Sequence, residues 1–300
     1  MGRRRKGGKG AHLRGVVVVD KPKGPTSHDV VSSLRKRLDT GRVGHAGTLD
    51  PMATGVLVVA VGEGTKLVPY LTAADKRYAA TLSIGTATDS LDAEGDVTGE
   101  GPLLTATLDD VRAVAASMVG VIRQRVPKVS AVRVDGERLH AKARRGDDFE
   151  APEREVELRS VSVLEVAPDR VRFELEASKG FYVRSFGRDL AERLGTVGHL
   201  SELRRLASGA FTVAEAVVPE AVAPEALLDP ATAAAKVMPT VEVGAEAAAD
   251  LRMGRRVEAG EVLEGPAALV HAGALVTIAE QREGGWQVLR GFTSEAGTGA

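Results

Sequence analysis

The stretch GHAGTLDPMATG, residues 44–55, places one carboxylate, Asp50, between Leu49 and Pro51, with glycines at 44, 47 and 55. Proline after the aspartate and glycines on both sides restrict the main chain to a shaped loop, which aims a side chain in one direction. A single aimed carboxylate can serve as a nucleophile or a base at neutral pH. An isolated Asp-Pro pair more often closes its own turn. Three other features favour the chemical role. A basic stretch lies downstream, Tyr182-Val183-Arg184 offers a cation to pair with the aspartate, and aromatic residues, only 3% of the chain, sit beside these stretches.

Much other chemistry is excluded. With no cysteine there is no thiolate nucleophile, disulfide, zinc ribbon or iron–sulfur cluster. The six histidines at 12, 28, 45, 140, 199 and 271 have no metal-ligand spacing, so no metal is expected. VGEGTK (61–66) lacks the spacing of a phosphate-cradling loop. DSLDAEGD (89–96) lacks that of a calcium loop, because counting from Asp92 puts Val97 at the glycine position, so it reads as an acidic turn between strands. Glycoside cleavage needs two flanking carboxylates. Only Asp50 is well placed for such work.

The formal net charge of −1 conceals a segregation. Residues 211–300 hold 6 Lys+Arg and 13 Asp+Glu, net −7, and residues 1–210 hold 34 and 28, net +6. Residues 123–146 (RQRVPKVSAVRVDGERLHAKARRG) carry eight basic and two acidic side chains, a density that suits a polyphosphate partner. Charge runs are more often simply solvated faces. No run approaches the roughly 18–20 apolar residues of a membrane span, and no apolar segment follows the basic start MGRRRKGGKG. The expectation is a cytoplasmic protein with no membrane association.

The elements that must position Asp50 follow from hydrophobic spacing. GVVVVD (15–20) and VLVVAVG (56–62) read as buried strands on either side of the GRVGHAGTLDP loop. Thr26 or Ser27 caps a helix to about Leu38, and TKLVPYL is a short helix. RYAATLSIG is an alternating strand. TLDDVRAVAASMVG reads as a helix capped by Thr107 and closed by Gly120. VRVDGERL signals a hairpin turning at Asp135-Gly136. EVELRSVSVLEV and RVRFELEA form an antiparallel hairpin across Pro168-Asp169. Val183, Phe186, Leu190 and Leu194 mark a helix over 181–195. Hairpins and helices without regular strand–helix–strand alternation predict an α+β domain with a mixed, largely antiparallel sheet core flanked by helices. Residues 212–236 read as an Ala-, Pro- and Glu-rich connector. From about Pro239, short strands and Gly-rich turns predict a small β-barrel-like appendage.

Five stretches in order, GVVVVDKPKGPTSHDVV, RVGHAGTLDPMATGVLVVAVGEGTKL, DKRYAATLSIGTATDSLDAEGDV, VPKVSAVRVDGERLHAKARRG and SKGFYVRSFGRDLAERLGTVGHLSELRRLASGAF, resemble the motifs of the bacterial TruB family of tRNA pseudouridine synthases. The likeness spans roughly residues 15–212. It implies the pseudouridine synthase fold and isomerisation of the uridine at position fifty-five in the T arm of elongator tRNAs, with no cofactor. It implies Asp50 as the catalytic aspartate, Tyr78 as the ring that stacks on the target base, and Arg184 as the arginine paired with Asp50. RNA contacts are expected at Lys21, His45, Lys66, Tyr182, Arg144 and Arg145, with Asp20 structural. The implied organisation is a disordered basic tail (1–13), a catalytic domain (14–212) with a mobile RNA-binding insertion (123–150), a connector (213–238), a PUA-like domain (239–295) and a tail (296–300). A monomer with no obligate protein partner is expected. A uridine methyltransferase acting on the T arm needs a cysteine that this chain lacks. The alternative is an RNA chaperone of the same family that folds tRNA by holding its T arm, with catalysis secondary.

Overall fold

The computed structural model describes residues 10, 12–130, 133–134, 137–139, 145, 149–260 and 262–293. Its strands through the first two-thirds of the chain are β1 (Gly15–Lys21), β2 (Val43–Ala46), β3 (Thr54–Val61), β4 (Lys76–Ile84), β5 (Thr86–Thr88), β6 (Val97–Glu100), β7 (Gly120–Arg125), β8 (Arg133–Val134), β9 (Glu137–Arg138), β10 (Glu153–Ala167), β11 (Arg170–Ala177), β12 (Gly198–Ser208) and β13 (Phe211–Thr212). The helices are α1 (Ser27–Arg37), α2 (Val68–Ala73), α3 (Leu108–Ala116), α4 (Val183–Arg193), α5 (Pro230–Ala235) and α6 (Ala245–Arg252). A nine-stranded sheet runs β1-β3-β12-β4-β11-β10-β7, with β2 on β3 and β13 on β12. Every pairing in it is antiparallel except β3 with β12, where Thr54 faces Arg204 and Gly55 faces Arg205. The protein is α+β, with helices against a mixed, largely antiparallel sheet.

The uninterrupted apolar runs of β1 and β3 follow from burial on both faces. Val17, Val19, Leu57 and Val59 join α1, α3 and α4 in the main core, through Val30, Leu34, Val111, Phe186 and Leu190. Val16, Val18, Val56 and Val58 face the other way, against Leu67, Leu71 and Phe211. Phe186 meets Phe173 edge-on at 5.3 Å between centroids, fixing α4 on the sheet.

Caps set the helix starts. Thr26 accepts from the Asp29 amide while the Asp29 carboxylate accepts from the Thr26 amide, and Thr107 and Asp110 repeat the arrangement on α3. Two expectations are corrected. Residues 43–46 form β2 rather than part of a loop, because Val43 and Ala46 are buried as the stretch pairs with β3. Helix α3 ends at Ala116, and Gly120, at φ +117°, opens β7 instead of closing the helix. Of the hairpin predicted around Asp135-Gly136, β8 and β9 pair, while the two turn residues lie outside the described residues.

Residues 213–238 run through short 3-10 turns and α5, and bridge to β1 at Val16–Leu228 and Val19–Val217. Beyond them lie β14 (Thr240–Glu242), β15 (Val257–Glu258), β16 (Pro266–His271), β17 (Ala274–Arg282) and β18 (Gly285–Gly291), in one sheet of order β14-β16-β17-β18-β15. This C-terminal β-rich sheet, with α6 packed on it, is compatible with the PUA-like domain expected there.

Candidate active site

The loop between β2 and β3 is held from below by the segment joining β1 to α1. Ser27 donates through Oγ to the Leu49 carbonyl at 3.1 Å and accepts from the Leu49 amide at 2.8 Å, fixing the residue before Asp50. The Gly24 amide donates to the Pro51 carbonyl, fixing the residue after it. Lys21 is fully buried, and its Nζ donates to the carbonyls of Pro22, Pro25 and Pro51 at 2.9, 2.7 and 3.2 Å. All three ammonium donors are thus committed to main chain beneath the loop. Burial lowers its pKa to about 8, with the nearby Asp50 charge opposing the shift. Asp20 pairs with Arg204 at 2.8 Å, a structural contact.

Above this base, the Asp50 carboxylate keeps 32% of its surface exposed and meets Arg184, whose side chain is only 4% exposed. Arg184 Nε lies 2.9 Å from Asp50 Oδ2. The Nε–H is not aligned for a directed hydrogen bond, so the contact is chiefly Coulombic. The other guanidinium donors are directed: Nη1 to the Ser90 carbonyl at 2.6 Å and Nη2 to the Val129 carbonyl at 3.1 Å. Nη1 also lies 3.2 Å from Asp92 Oδ2, which is itself buried. Helix α4 supplies the arginine in its first turn. Gln124 fixes that turn by donating to the Tyr182 carbonyl at 3.1 Å and accepting from the Tyr182 amide at 2.8 Å.

Asp92 is a residue of this cluster that sequence reasoning missed. In the turn between β5 and β6 its Oδ1 accepts from Ser90 Oγ at 2.6 Å and from the Glu94 amide at 3.1 Å. The turn is fastened to β12 by hydrogen bonds between Leu91, Ala93 and Leu200. An acidic turn gives no local sign of such packing. The available signal was its place inside DKRYAATLSIGTATDSLDAEGDV, one of the stretches that carried the family likeness.

Asp50, Tyr78, Tyr182 and Arg184 converge on one cavity of about 260 Å³, with Lys76 and Leu203 in its wall. A larger cavity of about 560 Å³ at the base of the 123–150 insertion, lined by Arg125, Lys128 and Phe149, does not contain Asp50. The smaller one holds the candidate chemistry. Tyr78 is largely buried on β4, opposite Arg205. Burial raises the Tyr182 phenol pKa; Arg154, over the ring, opposes this and the Asp50 charge adds to it. Lys76 is buried, donates to the carbonyls of Thr72 and Ala74, and is lowered to about 8, chiefly by burial and then by the Arg205 charge.

The remaining predicted contacts lie elsewhere. His45, on β2, is held below its ordinary pKa by burial and by Arg205, and is not among the cavity-lining residues. Lys66 pairs with Glu63, donates to the Gly291 carbonyl at 2.7 Å and sits 5.3 Å from the Phe292 ring centroid. It ties the first sheet to the C-terminal one and keeps 29% of its side chain exposed. Arg145 is exposed and pairs with Glu137, with Nη2 at 2.9 Å from Oε2. Arg144 lies outside the described residues. Among the described residues no group of three or more His, Asp or Glu side chains could hold a metal ion.

The fold extends across two solved assemblies. A chain in an H/ACA RNP bound to a substrate RNA containing 2′-deoxyuridine matches at 24% identity and TM-score 0.71, covering 94% of this chain and 86% of that one. A chain in a Cbf5-Nop10-Gar1 complex matches at 26% identity and TM-score 0.70, covering 93% and 84%. The chain is a pseudouridylate synthase by sequence as well: residues 35–183 match the N-terminal domain of the TruB family pseudouridylate synthases. The chain belongs to the TruB family. It is 41% identical to a tRNA pseudouridine synthase B of Arthrobacter sp. over 83% of each chain. It is 42% identical to that of Corynebacterium diphtheriae over 80% of this chain and 83% of the relative.

Proposed function

We propose that this protein is a tRNA pseudouridine synthase that isomerises the uridine at position fifty-five of the T arm. The observation that carries the reading is Asp50: one-third exposed in the lining of a cavity of about 260 Å³, with a nearly buried guanidinium on one flank. The reaction breaks the bond from ribose C1′ to uracil N1, turns the base, joins C1′ to C5 and moves one proton from C5 to N1. Nothing enters or leaves, so no cofactor is needed.

The target base must leave the loop stack to reach the cavity. Tyr78 supplies a replacement stacking face, worth about 1–3 kcal/mol. Arg184 keeps the carboxylate ionised near the negative RNA and holds its oxygens in place. The ionised carboxylate serves as nucleophile at C1′ or C6, or as base at the ribose 2′ position. The basic insertion clamps phosphates. The protein works as a cytoplasmic monomer.

The test is incubation of the protein alone with an unmodified T-arm hairpin, followed by chemical mapping of pseudouridine. Asp50→Asn is expected to abolish product while RNA affinity falls by less than about tenfold, roughly 1.4 kcal/mol. Normal turnover by that variant would remove Asp50 from the chemistry.

A further inference from the structure

Arg205 is the bulkiest of the fully buried side chains, 1% exposed. It lies on β12 at the register where that strand runs parallel to β3, opposite Gly55. Among the described residues every hydrogen bond its guanidinium makes goes to a main-chain carbonyl of the loop that carries Asp50 or of the strand that follows it. Nε donates to Val56 at 2.6 Å, Nη2 to Gly47 at 3.1 Å and Nη1 to Thr48 at 3.4 Å. These carbonyls bracket Asp50 in sequence, two before it and one after.

Two of the three glycines in GHAGTLDPMATG lie against Arg205, Gly47 beside its guanidinium and Gly55 against its main chain. Gly47 turns the loop beside the guanidinium at φ +93°, a conformation that favours glycine; an added Cβ would sit 3.5 Å from Nη1, in ordinary contact. Gly55, at φ +97°, would place a Cβ 2.2 Å from the Arg205 carbonyl oxygen, so only glycine lets β12 approach β3 this closely. A buried charge without a carboxylate partner is costly to retain, and an apolar residue of similar volume would fill the space at less cost. The retained arginine offers a rigid fork that a lysine or an apolar side chain cannot reproduce.

We propose that Arg205 is the positioning residue of Asp50: its guanidinium staples both ends of the loop and so sets where the carboxylate stands in the cavity. The proposal rests on Asp50 being the catalytic group. A lysine at this position keeps the charge but replaces the fork by a point donor. The loop then loosens without losing the surfaces that bind RNA. Because a misplacement of about 1 Å at a reacting centre costs on the order of 100-fold in rate, kcat is the quantity at risk.

The experiment compares Arg205→Lys, Arg205→Met and Asp50→Asn on a T-arm hairpin, reading kcat, KM and the far-ultraviolet dichroism of each. Arg37→Met serves as the control, since Arg37 also donates to a carbonyl, that of Val222 at 2.7 Å, away from the cavity. Both Arg205 variants should lose about 10- to 100-fold in kcat with KM within about threefold, while Arg37→Met keeps wild-type kcat. If Arg205→Met fails to fold, Arg205→Lys decides alone. Wild-type kcat in Arg205→Lys, or a loss matched by Arg37→Met, overturns the proposal. Product from Asp50→Asn overturns instead the reading of Asp50, so the two failures are separable.

Discussion

Lys21 and Lys76 are buried ammonium groups on either side of the Asp50 loop, one beneath it and one in the cavity wall. Burial lowers both from 10.5 to about 8. Below 8 both are charged in the folded and the unfolded chain, and the desolvation cost of folding is fully present. Between 8 and 10.5 the unfolded chain binds more protons, so stability rises with pH through that window. At 1.36 kcal/mol per pKa unit the gain is on the order of 1–3 kcal/mol per lysine. Above about 10 the raised phenols of Tyr70 and Tyr182 act in the opposite sense, because the folded state then holds the extra proton. Urea unfolding is therefore expected to give a higher midpoint at pH 9.5 than at pH 8, with a smaller rise in Lys76→Met. A flat or falling midpoint, unchanged by that substitution, would sink this account.

The elements that carry the site differ in how far their sequences reveal them. Helices α1 and α3 were legible because a Thr cap with an Asp three residues on is a local signal, and α4 because its apolar spacing is periodic. The β10–β11 hairpin declared itself through alternation across Pro168-Asp169. Strand β2 was hidden because its inner residues are Gly44 and His45, and its pairing with β3 is a property of the partner. Asp50 was legible from its restricted loop, with Arg184 as a candidate cation that the family likeness then assigned to it, whereas Asp92 and Arg205 were not legible as site residues, since their partners lie about 90 and 150 positions away. The parallel junction of β3 and β12 is equally invisible in sequence, yet it decides a stability prediction. Gly55→Ala must drive a Cβ into the Arg205 carbonyl oxygen, and it should destabilise by more than about 3 kcal/mol, as large backbone misfits do. Thr107→Ala, which removes only a cap, should cost about 1 kcal/mol and leave kcat unchanged. Comparable midpoints for the two variants in chemical denaturation would refute the close approach.

At the scale of the whole molecule, the segregated charge and the shared core point in different directions. The last 90 residues carry net −7 and are poorly suited to bind a polyanion. Their apolar side chains, however, complete a core begun by the first sheet. Ala268, Val270, Leu275, Ile278 and Phe292 cluster with Val16, Val18, Val56 and Val58, the outer faces of β1 and β3. The seam is reinforced by Lys66 on Gly291 and by Arg14 Nη1 donating to the Thr293 carbonyl at 2.9 Å. β3 also leads out of the Asp50 loop, so what the C-terminal sheet covers is the back of the site. Removal of residues 239–300 would uncover part of this cluster, at about 25 cal/mol for each Å² of apolar surface returned to water. Two consequences follow from one geometry. Calorimetry of the full chain should show a single unfolding transition, and the truncated chain should melt lower or aggregate. The salt dependence of RNA affinity in any truncated protein that remains folded should be unchanged, since few cations leave with the acidic module. Two well-separated transitions in the full chain, or a truncated chain as stable as the parent, would show that the apolar seam contributes little and that the C-terminal sheet is only tethered.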